Sequence, residues 1–271
     1  MLILSVWAKD VSRVTGGHVK AKMTTLHDIN RFCNYFEAQV TEVDNLNPEA
    51  ISEESITQVR LYKKTLIISA IDTLANLRYS KENYKELNKH NKARFTRFVA
   101  EYCEWQSGNL ISLPYLFDQL TIKKRKDSKL YEVLRKKLLG HDNNGGEFLG
   151  IEIIDLNAEE LLEFTNSEVE ERLIFESQHY SLIHGYKNCI AHEEKDVCGV
   201  MEVCQYAEPH YYSYIKNKTS KELTRWHLSY PVEHFRVLFF CGIKNMKRHF
   251  IKTNINPYSL IGDSRGHSRW W

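Results

Sequence analysis

Three side chains within one short stretch, Lys187, Asn188 and His192, have the chemistry to handle a phosphodiester. A histidine of near-neutral pKa can take a proton from a ribose 2′-hydroxyl or give one to a departing 5′-oxygen. A lysine can offset the charge that gathers on phosphorus in the transition state, and an amide can hold a phosphate oxygen or the imidazole. Such a set would cleave RNA by internal transesterification, with no metal and no other cofactor. On a helix, at about 100° per residue, Asn188 and His192 lie within about 40° of each other, and Lys187 lies about 140° from His192. Ser181 and His184 or Gly185 extend the polar stripe backwards, beside an apolar edge of Phe175, Leu182, Tyr186 and Ile190. The competing account is structural. Histidine and lysine near a helix end satisfy the last carbonyls and complement the dipole, with Asn188 hydrogen-bonded in the interior.

These residues need a scaffold, and the surrounding pattern predicts a helical one. Glu171 to Asp196 reads as one long helix, introduced by the capping pair Ser167 and Glu170; Asn157 with Glu160 marks an earlier start. Ile29, Phe32, Cys33 and Phe36 recur at helical spacing before the loop at Asn45 to Pro48. A helix over 56–79 presents Ile71, Leu74 and Ala75 on one face. Its polar stripe of Ser69, Asp72, Thr73 and Asn76 would matter if Asp72 faced the Asn188/His192 group. The helix over 91–105 turns Phe95, Phe98, Val99 and Tyr102 inward and Arg94, Arg97, Glu101 and Glu104 outward, and Ser107-Gly108-Asn109 ends it. Ser112-Leu113-Pro114 restarts a helix that runs into the basic segment Lys123–Lys137, with a kink near Asp127-Ser128.

Gly140 to Gly146 is the clearest loop. Period-two alternation at Val197 to Val203, at Tyr212 and Tyr214, and at Trp226 and Leu228 predicts short strands, the last two forming a hairpin. Pro231 opens a closing helix with Phe235, Leu238, Phe239, Ile243, Met246 and Phe250. The fold class expected is mainly α, a helical bundle with a small β insertion at about 197–229. Its division is an N-terminal arm and helix over 1–50, a helical domain over 51–255, and a basic, aromatic tail over 256–271.

With 271 residues, 27% charged and 42% hydrophobic, the chain is long enough to bury a sizeable core and too apolar for wholesale disorder. The net charge of +2 hides an asymmetry: 123–137 is strongly basic and 147–176 strongly acidic. That asymmetry could steer a charged ligand, or be two solvated helix faces of opposite sign. Lys123, Lys124, Arg125, Lys126 and Arg135 are the RNA-contact residues expected from it. Arg265, His267, Arg269, Trp270 and Trp271 could add base stacking, or dock in an apolar groove.

The six cysteines lack C-x-x-C spacing and read as reduced thiols. A zinc set drawn from Cys189, His192, Cys198, Cys204 and His210 has spacings unlike structural sites, so no metal is expected. No segment has the length of a membrane span and the opening residues lack a signal peptide's basic region, which points to the cytoplasm. P-loop, G-x-G-x-x-G and G-x-S-x-G motifs are missing from the sequence.

The stretch LIHGYKNCIAHE, with K-N-x-x-x-H at Lys187, Asn188 and His192, resembles the motif helix of HEPN-domain ribonucleases and toxins, whose signature is R-[N/H/D]-x-x-x-H. The order of pieces is also similar over about 55–250: a long apolar helix, an R-F-x-x-F helix from Arg94, S-L-P-Y-L from Ser112, then the motif helix. The resemblance implies an all-α bundle that dimerises and places two motifs in one cleft. It implies a metal-independent endoribonuclease acting on tRNA or mRNA in a defence or toxin–antitoxin setting, with an antitoxin or defence-system partner protein. By that resemblance His192 is the acid/base, Asn188 the polar second position and Lys187 the phosphate-stabilising cation; the polar stripes of the two helices offer Asp72 and His184 in support. Lys187 departs from the usual Arg, keeping the charge but losing the bidentate fork. The alternative is a non-catalytic dimerisation or binding module for RNA or protein.

Overall fold

The computed structural model describes residues 21–46, 53–80, 84–87, 90–141, 148–193, 207–214 and 225–261. The chain is mainly helical with a small antiparallel sheet, as the periodicity predicts. Helices α1 (Ala21–Asp44), α2 (Glu53–Arg78), α3 (Asn91–Tyr102) and α10 (Val232–Thr253) pack side by side, and α9 (His179–Glu193) lies across α2 and α3. Their shared core is Ile29, Phe32, Ile71, Leu74, Phe98 and Phe239, among others, each nearly inaccessible. Burying one such side chain is worth about 1.5–3 kcal/mol, which is what holds long helices with modest internal propensity.

A second layer starts at Ser112, whose hydroxyl accepts the Tyr115 N–H and so caps α4 (Leu113–Ile122). Ser128 does the same for α5 (Lys129–Gly140). The basic segment therefore bends through a full turn between two helices, where the sequence suggested a kink. Then come β1 (Phe148–Gly150), the short α6 (Ile151–Ile154), α7 (Ala158–Leu162) and α8 (Glu168–Glu176). Glu160 accepts the Asn157 N–H at 3.0 Å and Glu170 the Asn166 N–H at 2.9 Å, so two acidic residues serve as helix caps. Strands β2 (His210–Tyr214) and β3 (Arg225–Ser229) form the expected pair, in a sheet ordered β1-β2-β3 with Tyr211 opposite both Leu149 and Leu228. The sequence did not announce β1, which is only three residues long. Residues 197–203, expected to alternate as a strand, lie outside the described residues, as do the tail positions from 262 on. A short α11 (Pro257–Ile261) packs on α1 within the span read as tail.

Four further expectations need correction. Glu171–Asp196 is not one helix: α8 ends at Glu176 and α9 begins at His179. The break is made by pairing. Ser112 N–H donates to Ser177 O, His179 N–H donates to Leu110 O, and Ile111 bridges Gln178 and Leu156, so the Ser177 carbonyl and the His179 N–H bond outward instead of continuing the helix ladder. Phe175 is thereby on a different helix from Lys187, and it is exposed. Arg94, expected outward, is buried and bonded to Asn91 one turn away. The helix over 91–105 stops at Tyr102 because Asn245 of α10 donates to both Tyr102 O and Glu104 Oε1, each at 2.8 Å, while Glu104 takes a left-handed φ of 55°. Gly108 is needed for space, since a Cβ there would stand 2.2 Å from the Tyr180 ring.

One buried polar network joins the two layers. Asp155, between α6 and α7, accepts the Leu113 N–H at 3.0 Å, the Tyr211 hydroxyl at 2.8 Å and Nε2–H of His179 at 2.7 Å. With that proton on Nε2, the other ring nitrogen of His179 accepts the Tyr230 hydroxyl at 2.8 Å. Tyr211 has one proton, given to Asp155, so the Ser112 hydroxyl donates to Tyr211 across their 2.8 Å contact. Burial pushes the Asp155 carboxyl up, against the pull of these hydrogen bonds. Removing one partner leaves buried groups unpaired. His179→Phe and Asp155→Leu are each expected to lower unfolding free energy by about 2–4 kcal/mol, and Tyr230→Phe by about 1 kcal/mol, in urea melts followed by circular dichroism. A destabilisation below about 0.5 kcal/mol for His179→Phe would show the network to be incidental.

Candidate functional site

The sequence asks whether Asp72 meets the motif helix, and it does, through the lysine. Lys187 Nζ lies 2.8 Å from Asp72 Oδ1, with side-chain exposures of 15% and 28% respectively. Two helices set this contact. On α2, Ile71, Leu74 and Ala75 are buried, which leaves Asp72 at the rim of the apolar face. On α9, Ile183 and Tyr186 point into the core and Lys187 follows at the edge. Phe95 of α3 closes the floor: its ring centroid is 5.3 Å from Lys187 Nζ and 5.7 Å from the His184 ring. A cation over an aromatic face in a partly dry setting gains about 1 kcal/mol, and the ion pair a similar amount. Lys187 is thus anchored by charge on one side and by a π-face on the other.

Of the two supporting residues, His184 is the more enclosed, at 8% exposure. Burial lowers its pKa from 6.5; Lys187 and Lys92 push the same way, and Asp72 opposes them. Lys92, at the start of α3, is a member of this cluster that sequence reasoning missed. Nothing in the sequence links positions 92 and 184, because only the packing of α3 on α9 brings them together.

Asn188 is exposed, about 100° round the helix from Lys187, so the two neighbours diverge: one reaches inward to Asp72, the other outward to solvent. The α9 backbone continues helical through Glu193, which keeps Asn188 and His192 one turn apart, about 6 Å along the axis. The His192 side chain lies outside the described residues, and so do Cys198 and Cys204 of the zinc set. His184 is eight residues before His192, about 12 Å along the axis, too far to share one scissile phosphate with it. The structure thus joins Lys187, Asp72 and His184 around Phe95, and leaves Asn188 apart from them. Lys123, Lys124, Lys126 and Arg135 are exposed and Arg125 half-buried, all on the α4–α5 corner in the second layer. Among the described residues no group of three or more His, Cys, Asp or Glu is arranged to hold a metal ion, and no helix is long and apolar enough to cross a membrane.

The signs of these charges make a titration diagnostic. A folded-state pKa below 6.5 means that the unfolded chain binds the His184 proton first, so this residue erodes stability as pH falls through that range. In Asp72→Asn the two lysines act unopposed, and His184 is expected to titrate lower still; in Lys187→Ala it moves back towards 6.5. Imidazole chemical shifts across a pH series read both directions, and equal shifts in the two variants would contradict the charge arrangement.

Compared with protein-family models, curated proteins and solved structures, the chain matches none of them.

Proposed function

We propose that the protein is a metal-independent endoribonuclease of the HEPN type, acting as a homodimer on tRNA or mRNA in the cytoplasm, in a defence or toxin–antitoxin setting. The observation that carries this reading is the anchored cation. Lys187 immediately precedes Asn188 and is held by Asp72 at 2.8 Å. An ammonium has three N–H donors, so a bond to Asp72 leaves others to meet a phosphate oxygen. In the reaction His192 takes the proton of the 2′-hydroxyl as its oxygen attacks phosphorus. The 5′-oxygen departs with a proton from an acid, and the products are a 2′,3′-cyclic phosphate and a 5′-hydroxyl. Lys187 stabilises the charge on the non-bridging oxygens. Within one chain Lys187 and His192 are about 7.5 Å apart along the axis and on different faces of α9. A twofold axis beside α9 would set the His192 of one copy opposite the Lys187 of the other.

The same ion pair favours a second reading. Asp72 neutralises the very charge that a phosphate would need, which suits a binding module in which Lys187 is purely structural. Purified protein incubated with total RNA and tRNA in EDTA separates the two. The nuclease reading expects cleavage in EDTA, cyclic-phosphate ends, and a loss of about 10²–10⁴-fold in His192→Ala. Lys187→Ala lowers the rate and Lys187→Arg preserves it. Binding without cleavage, unchanged in His192→Ala, sinks the nuclease and leaves the module.

A further inference from the structure

The α4–α5 corner is the most strongly charged surface that the cleavage chemistry does not use. Residues 123–137 hold eight Lys and Arg against Asp127 and Glu132, a net +6; with the whole chain at +2, all other residues together are at −4. Lys123, Lys124, Lys126, Arg135, Lys136 and Lys137 are exposed. Among the described residues none of these six forms an ion pair. Four carboxylates of the acidic stretch have other partners: Glu160 and Glu170 cap helices, Glu176 pairs with Arg172, and Glu152 accepts from Ser107.

Backbone geometry singles out one member. The end of α4 closes with Lys123 N–H on Gln119 O and Arg125 N–H on Leu120 O, and Lys124 takes the left-handed position at φ 56°. Glycine is the usual occupant of that position, because a Cβ is disfavoured there. Three non-glycine residues adopt positive φ among those described. Asn254 tolerates it, and Glu104 has a carboxylate engaged by Asn245. The Lys124 side chain makes no hydrogen bond, ion pair or ring contact among the described residues. A strained lysine in mutually repelling company is the pattern expected where the charge itself is used.

We infer that this corner is a docking surface for the phosphate backbone of RNA, separate from the α9 site, so that the substrate class is a strand long enough to touch both. The identity of the polyanion as RNA rests on the nuclease reading; the existence of a polyanion surface does not. Phosphate contacts release counterions, so each should contribute about 0.7 to the slope of log affinity against log salt for a single strand. Charge spaced along an exposed turn meets phosphates, and so positions a strand without reading its sequence.

The test uses the full chain carrying His192→Ala, in EDTA, with a fluorescein-labelled single-stranded 20-mer RNA and anisotropy at several salt concentrations. In the variant Lys123→Gln/Lys124→Gly/Lys126→Gln, affinity should fall by about tenfold or more at moderate salt and the slope by about 2. Lys244→Gln/Lys252→Gln on α10 should change neither. Lys124→Gly alone should bind more weakly yet melt about 2 °C higher, showing that lost binding is not lost folding. Equal weakening in both multiple variants, or none in the corner variant, overturns the inference. So does tighter binding of the corner to phosphatidylserine vesicles or to poly-glutamate than to RNA. Cleavage of a dinucleotide, too short to reach the corner, is measured with His192 intact. It should be unchanged by the corner substitutions, whereas cleavage of the 20-mer should slow; absence of cleavage of both RNAs in the unmodified chain defeats the nuclease reading while the binding result still decides the corner.

Discussion

The fold depends on one buried carboxylate. Asp155 lies in the interior, accepts hydrogen bonds from Leu113, Tyr211 and His179, and so touches the start of α4, the middle of the sheet and the first residue of α9. A carboxyl group removed from water is tolerable only when its acceptor sites are filled, and here they are filled by groups that belong to separate elements. Each bond therefore fixes the placement of one element relative to the next. The aromatic shell does the rest: Trp105 and Tyr230 pack tilted or edge-on against His179, with His234 behind them on Trp105, and this dry setting strengthens the hydrogen bonds inside.

From that anchor the candidate site follows by helical geometry. His179 fixes the start of α9, and eight residues later, about 12 Å along the axis, Lys187 reaches Asp72. Between them Tyr186 locks the rotation of the helix, packing on Tyr230 and Phe235 and accepting a hydrogen bond from the buried Lys64 at 2.9 Å. A helix held at its first residue and again two turns on has no freedom to rotate, so the direction in which Asn188 and the following turn project is set. The separation of Lys187 from Asn188 is a consequence of this. The wheel puts neighbours about 100° apart, and the packing decides that the inward one is the lysine.

Charge is distributed by a related logic. Within the acidic stretch Glu160 and Glu170 are spent on helix N-termini, where the macrodipole favours carboxylates, and Glu176 on a pair one turn away, while Asp155 reaches across the fold. The basic corner has no such local use. The second layer thus carries both extremes of charge, the acidic residues at 152–176 and the exposed cations of the α4–α5 corner.

Much of the fold was legible because it is written in local periodicity. Phe32 and Phe36, Ile71 and Leu74, Phe95 and Phe98, and Phe235 and Leu238 repeat at helical spacing and all are buried; Ser112, Ser128, Asn157 and Ser167 mark helix starts through short-range hydrogen bonds. The interval between Asn188 and His192 was legible in the same way, as two polar residues one turn apart. What the sequence could not carry is anything that depends on a partner far along the chain. The break at Ser177 is made by the strand-like segment at 110–112, and β1 exists because β2 lies beside it. Arg94 and Lys92 take their surroundings from the packing of α3 on other helices. The pairing of Asp72 with Lys187 joins residues more than a hundred positions apart. Periodicity tells a helix which face to bury; only the tertiary structure decides what that face is buried against, and hence which charges meet.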